Sequence, residues 1–180
     1  AWAFDRTALA EPDPVPAGHT RRFVEGEVTD ERVWSLPERP PEPDDEAAVG
    51  TVADAVEAAL GTATREPGRT AVAFSGGVDS ALVAAGLGTP CYVAGFPDSH
   101  DVATARAAAE EMDLDLRVVE LEHRDIERAV PEVALVTGRT NAMDVGITLP
   151  LYLVAERAAA DGFDRLAVGQ GADELFGGYQ

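Results

Sequence analysis

Hydrophobic and polar positions along the chain follow two regimes. Over residues 1–36 the apolar residues fall singly or in short runs between turn formers and charges. The segment 1–4 is apolar, and 11–18 holds Pro12, Pro14 and Pro16 and ends in Gly18, so it reads as a loop. Segments 21–28 and 32–36 are expected to pair as a hairpin around Thr29-Asp30-Glu31. Residues 37–45 hold four Pro and four acids in nine positions, a composition suited to a semi-rigid spacer.

From residue 46 onward the pattern alternates between helical and strand periods. Val49, Val52, Val56 and Leu60 predict an amphipathic helix over 45–62. A strand at 70–74, a helix at 79–87 and a strand at 91–96 follow. Val102, Ala105, Ala109 and Met112 mark a helix over 101–112, and 116–121 reads as a third strand. Ile126, Val130 and Val133 give a further helix that Pro131 is expected to kink or restart. A helix over 147–160 would carry Pro150 in its first turn. A fourth strand at 166–168 and a helix opening at 172–176 complete the series. Short apolar strands separated by helices predict an α/β fold, a parallel sheet with helices on both faces, preceded by a β-rich N-terminal segment. In such sheets ligands bind outside the carboxyl ends of the strands, here near residues 75, 95 and 169. The expected organisation is a β-rich segment at 1–36, a linker at 37–45 and an α/β domain at 46–180, with both chain ends cut from something longer.

Charge narrows the class of partner. Asp and Glu number 33 against 14 basic residues, a formal net charge of −19, and all 14 are Arg. A field of that sign disfavours nucleic acid and anionic membrane as partners at ordinary salt. The acid excess without Lys suggests a halophilic protein. In molar salt the Debye length falls to about 3 Å, and the charge argument against nucleic acid weakens accordingly. The single cysteine, Cys91, lies in the apolar run Cys91-Tyr92-Val93-Ala94 and reads as a buried, inert thiol. One cysteine excludes a disulfide within the chain and a cysteine-cluster metal site. With no long apolar span and no visible signal peptide, a cytoplasmic location is expected.

Two glycine-rich strings carry the chemistry. Ser75-Gly76-Gly77-Val78-Asp79-Ser80 follows the strand that ends at Phe74. Its glycines let the backbone approach an anion, and the N–H groups of the turn and helix start form an anion cradle. Ser75 and Ser80 add hydroxyl donors. A plain anion nest has no place for Asp79, whereas a carboxylate there suits a Mg²⁺ that bridges to phosphates. The second string, Gly169-Gln170-Gly171-Ala172-Asp173-Glu174-Leu175-Phe176-Gly177-Gly178-Tyr179, again follows a strand and opens a helix. Asp173 is placed to supply a second carboxylate.

The first string resembles the PP-motif of N-type ATP pyrophosphatases. It is not the Walker type, which needs a Lys that this chain lacks. The second is similar to the Gly-Glu-Gly-Ala-Asp-Glu-Leu-Phe-Gly-Gly-Tyr signature of glutamine-hydrolysing asparagine synthetases and of β-lactam synthetases. Gly95-Phe96-Pro97-Asp98-Ser99-His100-Asp101 and Leu149-Pro150-Leu151-Tyr152-Leu153 resemble later parts of the same family, so the likeness spans about 45–180. Weaker likenesses at Trp2-Ala3-Phe4-Asp5-Arg6, Pro16-Ala17-Gly18-His19 and Val33-Trp34-Ser35-Leu36-Pro37 resemble the tail of that family's glutaminase domain.

The resemblance implies ATP and Mg²⁺ as cofactors. It implies cleavage between the α and β phosphates, adenylation of a carboxylate (aspartate first), and attack by ammonia from a glutaminase domain, a subunit or solution. It assigns the ATP contacts to Phe74, Ser75, Gly76, Gly77, Asp79, Ser80, Ala94, Val168 and Gly169, and the metal to Asp79 and Asp173. Asp79, Asp173 and Gln170 are the catalytic candidates. Two positions depart from the family pattern. Gln170 stands where the family has Glu, and an amide takes no proton at neutral pH. Gly146 stands where the family places an Arg for the substrate carboxylate, with Arg139, Asn141 and Asp144 nearby. These departures favour, as alternatives, a related amidotransferase or β-lactam synthetase-like enzyme acting on another carboxylate. An inactive ATP-binding relative is the third reading.

Overall fold

The structure is a computed structural model that describes residues 14–35, 44–65 and 67–176. Internal contacts divide the chain into two units, Ala1–Ala48 and Val49–Gln180. Most of the 37–45 spacer, the 1–4 segment and the end of the second glycine-rich string lie outside the described residues.

In the first unit, β1 (His19–Val24) pairs antiparallel with β2 (Glu27–Arg32). The hairpin is present, but its turn is not at Thr29-Asp30-Glu31. Glu25 and Gly26 form the connection, with φ of 50° and 88°. A two-residue turn with positive φ at both positions matches the twist of the flanking strands, and glycine adopts that conformation without penalty. Asp30 sits within β2, where its carboxylate accepts two hydrogen bonds of 2.7 Å from Arg21.

The second unit is built on a four-stranded parallel sheet. Its strands are β3 (Thr70–Ala73), β4 (Cys91–Gly95), β5 (Leu116–Glu120) and β6 (Arg165–Ala167), in the spatial order β5-β4-β3-β6. The helices are α1 (Asp45–Arg65), α2 (Val78–Leu87), α3 (His100–Glu111), α4 (His123–Thr137), α5 (Ala142–Ala160) and α6 (Ala172–Phe176). This is the expected α/β architecture. The chain moves outward from β3 through β4 to β5, then returns to place β6 on the other side of β3. The order therefore reverses between β3 and β6, where parallel sheets open a crevice for ligands.

Period-two alternation divides the core between the two faces of the sheet. Val72, Phe74, Cys91 and Val93 face one way and pack with Ala84 of α2 and Ala105 and Ala109 of α3. Ala71 and Tyr92 face the other way and pack with Val154 and Ala158 of α5 and with Phe163. Leu121, Ala129, Val133, Leu149 and Leu153 extend that second layer toward α4.

Three helices differ from their sequence pattern. α1 forms as expected, yet none of its residues is buried, and Val49 is 68% exposed. α4 runs on through Pro131. That residue is exposed, and the carbonyl it leaves without a partner belongs to exposed Glu127, where water can reach it. α5 starts at Ala142, not near 147, so Pro150 lies well inside it instead of in its first turn. The start is set by Asn141, whose side chain accepts from the Asp144 N–H at 2.9 Å.

Candidate active site

Between Phe74 and α2 the chain makes the Ser75–Ser80 turn. Gly76 has φ +82°, and a Cβ there would lie 3.0 Å from the Thr104 carbonyl oxygen and 3.1 Å from Ala105 Cα. The turn is thus pressed against the backbone of α3, a conformation and a contact that both favour glycine. Ser80 is buried, and its hydroxyl donates to the Gly77 carbonyl at 2.9 Å and accepts from the Ser75 N–H at 3.3 Å. The Ser75 hydroxyl lies 3.2 Å from it and accepts from the Gly77 N–H at 3.3 Å. These bonds hold the turn open. Gly77 caps α2 without a side-chain hydrogen bond, so the amides of the first helical turn keep no side-chain acceptor.

The second string meets the first through backbone. A Cβ on Gly169 would lie 2.7 Å from the Asp79 carbonyl carbon and 2.7 Å from the Ser80 nitrogen. Only a residue without a side chain lets the chain leave β6 this close to α2. Gly171 follows with φ +99°, and α6 then carries Asp173, exposed, in its first turn.

A cleft of about 220 Å³ opens beside this junction, at the carboxyl ends of β3, β4 and β6. Phe74, Ser75, Ser80 and Ala94, which the sequence singles out, line it. Val168, Gly169 and Gln170 do so as well. Gly76, Gly77, Asp79 and Asp173 stand outside its lining. Sequence reasoning missed the opposite wall, formed by Tyr92 and by Pro150, Leu151 and Val154 of α5. It also gave no role to Asp101, the one carboxylate in the lining among the described residues. The Pro150-Leu151 pair was visible as a motif, but the wall it forms depends on how α5 crosses the sheet.

Asp79 and Asp173 provide two hard oxygen donors on two motifs whose backbones touch. Mg²⁺ is usually held by one or two carboxylates with phosphate and water completing its shell, so this donor pair fits that ion. Among the described residues no group of three or more His, Cys, Asp or Glu gathers that could hold a metal by itself. Cys91 is fully buried, and burial, with a lesser effect of Asp115, pushes its thiol up to about 11. It therefore remains protonated and inert near neutral pH. Among the described residues no helix is long and apolar enough to cross a membrane.

The asparagine synthase family matches residues 51–180. A curated protein of Methanocaldococcus jannaschii named "Putative asparagine synthetase (glutamine-hydrolyzing) 1" is 36% identical over 115 residues. That stretch is 62% of this chain and 21% of the relative, so the chain matches about a fifth of the relative's length. Among solved structures, the ammonia-dependent NAD synthetase of Campylobacter jejuni is similar at a TM-score of 0.46 and 15% identity, over 77% of this chain and 62% of that one. A predicted subunit of a tRNA methyltransferase from Methanocaldococcus jannaschii is similar at 0.39 and 22% identity, over 58% and 54%. With the family match covering both glycine-rich strings, which meet at one sheet edge, the chain belongs to the asparagine synthase family.

Proposed function

We propose that this domain is the ATP-pyrophosphatase site of an ATP-dependent carbon–nitrogen ligase. The observation that supports it most is the junction at Gly169, which sets the second motif against the start of α2 beside the 220 Å³ cleft. In the proposed reaction a carboxylate oxygen attacks the α-phosphorus of ATP. The bond to the β-phosphate oxygen breaks and pyrophosphate leaves. Ammonia then attacks the acyl carbon, AMP departs with the carboxyl oxygen, and a proton passes to a base. Aspartate is the first candidate, giving asparagine.

The Ser75–Ser80 turn and the uncapped N–H groups of α2 bind the leaving pyrophosphate. Asp79 and Asp173 would hold Mg²⁺, which supplies charge neutralisation on the phosphates when bound. Ala73, Ala94 and Val168 offer an apolar floor to the adenine. Gln170 lines the cleft where the family has Glu. It can orient the second step by hydrogen bonding, but the base lies elsewhere. The ammonia source is a glutaminase domain or subunit, or solution. The setting is cytoplasmic and saline, with neither nucleic acid nor membrane as partner.

One observation favours a different carboxylate. Among the described residues no cation lines the cleft, and Gly146 is exposed with nothing within 4 Å of a Cβ. A β-lactam synthetase-like or other amidotransferase substrate fits that lining as well as aspartate does.

Pyrophosphate–ATP exchange with Mg²⁺, in low and molar salt, tests the reading. Aspartate-dependent exchange is expected, with Asp79→Asn and Asp173→Asn each reducing it about a hundredfold or more. Exchange with another carboxylate alone selects the second reading. ATP binding with no exchange under any carboxylate means an inactive relative.

A further inference from the structure

We propose that Asp101 is the ribose-recognition residue of this site, a carboxylate that accepts from the 2′- and 3′-hydroxyls and selects ribonucleotides. This rests on the reading of the cleft as an ATP site.

Asp101 stands in the first turn of α3, after the strand next to β3. The turn from β4 into α3 is fixed by close packing: a Cβ on Gly95 would lie 2.7 Å from both Ser99 Oγ and Val102 Cγ2. Ser99 already caps α3, accepting from the Val102 N–H at 3.4 Å. Asp101 is therefore not needed as the cap. Its carboxylate is exposed and takes part in no hydrogen bond or ion pair among the described residues. It nevertheless lines the cleft, and among the described residues it is the only charged side chain to do so.

A fixed negative charge in a nucleotide cleft faces the triphosphate only across a bridging cation, a place already given to Asp79 and Asp173. The remaining complement to a third carboxylate is a part of the ligand that donates hydrogen bonds. The phosphates belong at the Ser75–Ser80 turn on β3. The ribose then lies toward the end of the adjacent strand, β4, which leads into Asp101. In dinucleotide-binding sheets an acid about 20 residues beyond the glycine-rich turn takes the ribose hydroxyl, and Asp101 stands at a comparable place. The α3 backbone also touches Gly76, so the element that carries Asp101 is registered directly on the phosphate loop.

The test is equilibrium binding of ATP, 2′-deoxy-ATP, 3′-deoxy-ATP and inosine triphosphate to the protein and to its Asp101→Asn and Asp101→Ala variants. Each protein is first checked for an unchanged thermal melt. The parent should bind ATP about tenfold tighter than either deoxy analogue, the worth of one charge-assisted hydrogen bond. Asp101→Ala should lose about that factor for ATP and little for the deoxy forms, so the ratio collapses toward one. Asp101→Asn, isosteric and still an acceptor, should fall between. A ratio that survives Asp101→Ala overturns the assignment, as does a parent that does not discriminate. If the variants lose only discrimination against inosine triphosphate, the carboxylate reads the base and the ribose assignment is wrong. A parent that binds no nucleotide removes the ATP reading itself, an outcome distinct from all of these.

Discussion

The two faces of the sheet solve different problems. On the α2–α3 face the core cluster is apolar and its helical side chains are small: Ala84, Ala105 and Ala109 pack against Val72, Phe74, Cys91 and Val93. Small residues let backbones approach, and both glycine contacts around the Ser75–Ser80 turn, Gly76 on α3 and Gly169 on α2, lie on this side. The α2 side buries one small polar residue, Ser80, whereas the α5 face buries a phenol in a cluster of charges. Tyr92 is fully buried, yet its hydroxyl donates to Asp161 at 2.7 Å and accepts from Arg117 at 2.8 Å. Arg157 adds a 3.0 Å bond to the other Asp161 oxygen. Its ring meets Phe163 edge-on at 5.9 Å, and it also walls the cleft. One face positions the loop by close backbone contact; the other positions the cleft wall by a hydrogen-bonded charge cluster.

The strongest way to break the comparison is Gly169→Ala. Its methyl would sit 2.7 Å from two backbone atoms of α2, and backbone cannot move aside as a flexible side chain can. We expect a stability loss of about 1–3 kcal/mol by chemical denaturation. Pyrophosphate exchange should fall by about a hundredfold, since small misplacements in a positioned site are costly. A variant with parental exchange would mean that the junction does not position the motif.

Tyr92→Phe probes the other face at smaller cost. Removing the hydroxyl leaves Asp161 with its arginines, so a loss of about 1–2 kcal/mol is expected. The pH dependence carries the sharper signature. Asp161 is held below its ordinary 3.8 chiefly by the Tyr92 hydrogen bond and further by Arg157 and Arg117, against the opposing effect of burial. A depressed carboxyl contributes stability above pH 3.8 that is lost as pH falls through the folded value. Tyr92 is itself raised above 10, first by burial and then by Asp161. That contribution is complete below pH 10 and is lost as pH rises further. The Phe variant should therefore lose stability less steeply than the parent at both extremes. Parallel pH–stability curves for the two proteins would show that the hydroxyl does not set these shifts.

The sequence made one face more legible than the other. Glycine-rich strings announce close approach, so the Ser75–Ser80 turn and Gly169 could be placed at strand ends before any coordinates. Strand alternation likewise exposed the sheet. What escaped depends on contacts distant in sequence. Tyr92 reads as one more apolar residue in a strand, because nothing local links it to Asp161 and Arg117. The α5 wall was hidden for the same reason, and the start of α5 was set too late because Pro150 reads as a helix opener. The Asn141 cap, which sets the true start, was noted only as a polar neighbour. Asp101 lay within a quoted motif but gained meaning only when α3 was seen against the Ser75–Ser80 turn. The hairpin turn went to an acidic tripeptide because Glu at positive φ is uncommon outside such turns.

The gentlest probe is Gly146→Ala, on the α5 face but away from the charge cluster. Gly146 is exposed inside a helix, its φ is not positive, and nothing lies within 4 Å of the added methyl. Glycine there costs backbone entropy without gaining contact, so Ala should stabilise by about 0.5–1 kcal/mol. That corresponds to a rise of about 1–4 °C in Tm for a chain of this size. Because the gain comes from the unfolded chain, it should add to the Tyr92→Phe loss without coupling, as expected of separate sites. A lowered Tm would mean that the backbone at Gly146 needs freedom for a contact outside the described residues. The departure at Gly146 would then be structural, and the case for an altered carboxylate would rest alone on the lack of a cation among the described residues of the cleft lining.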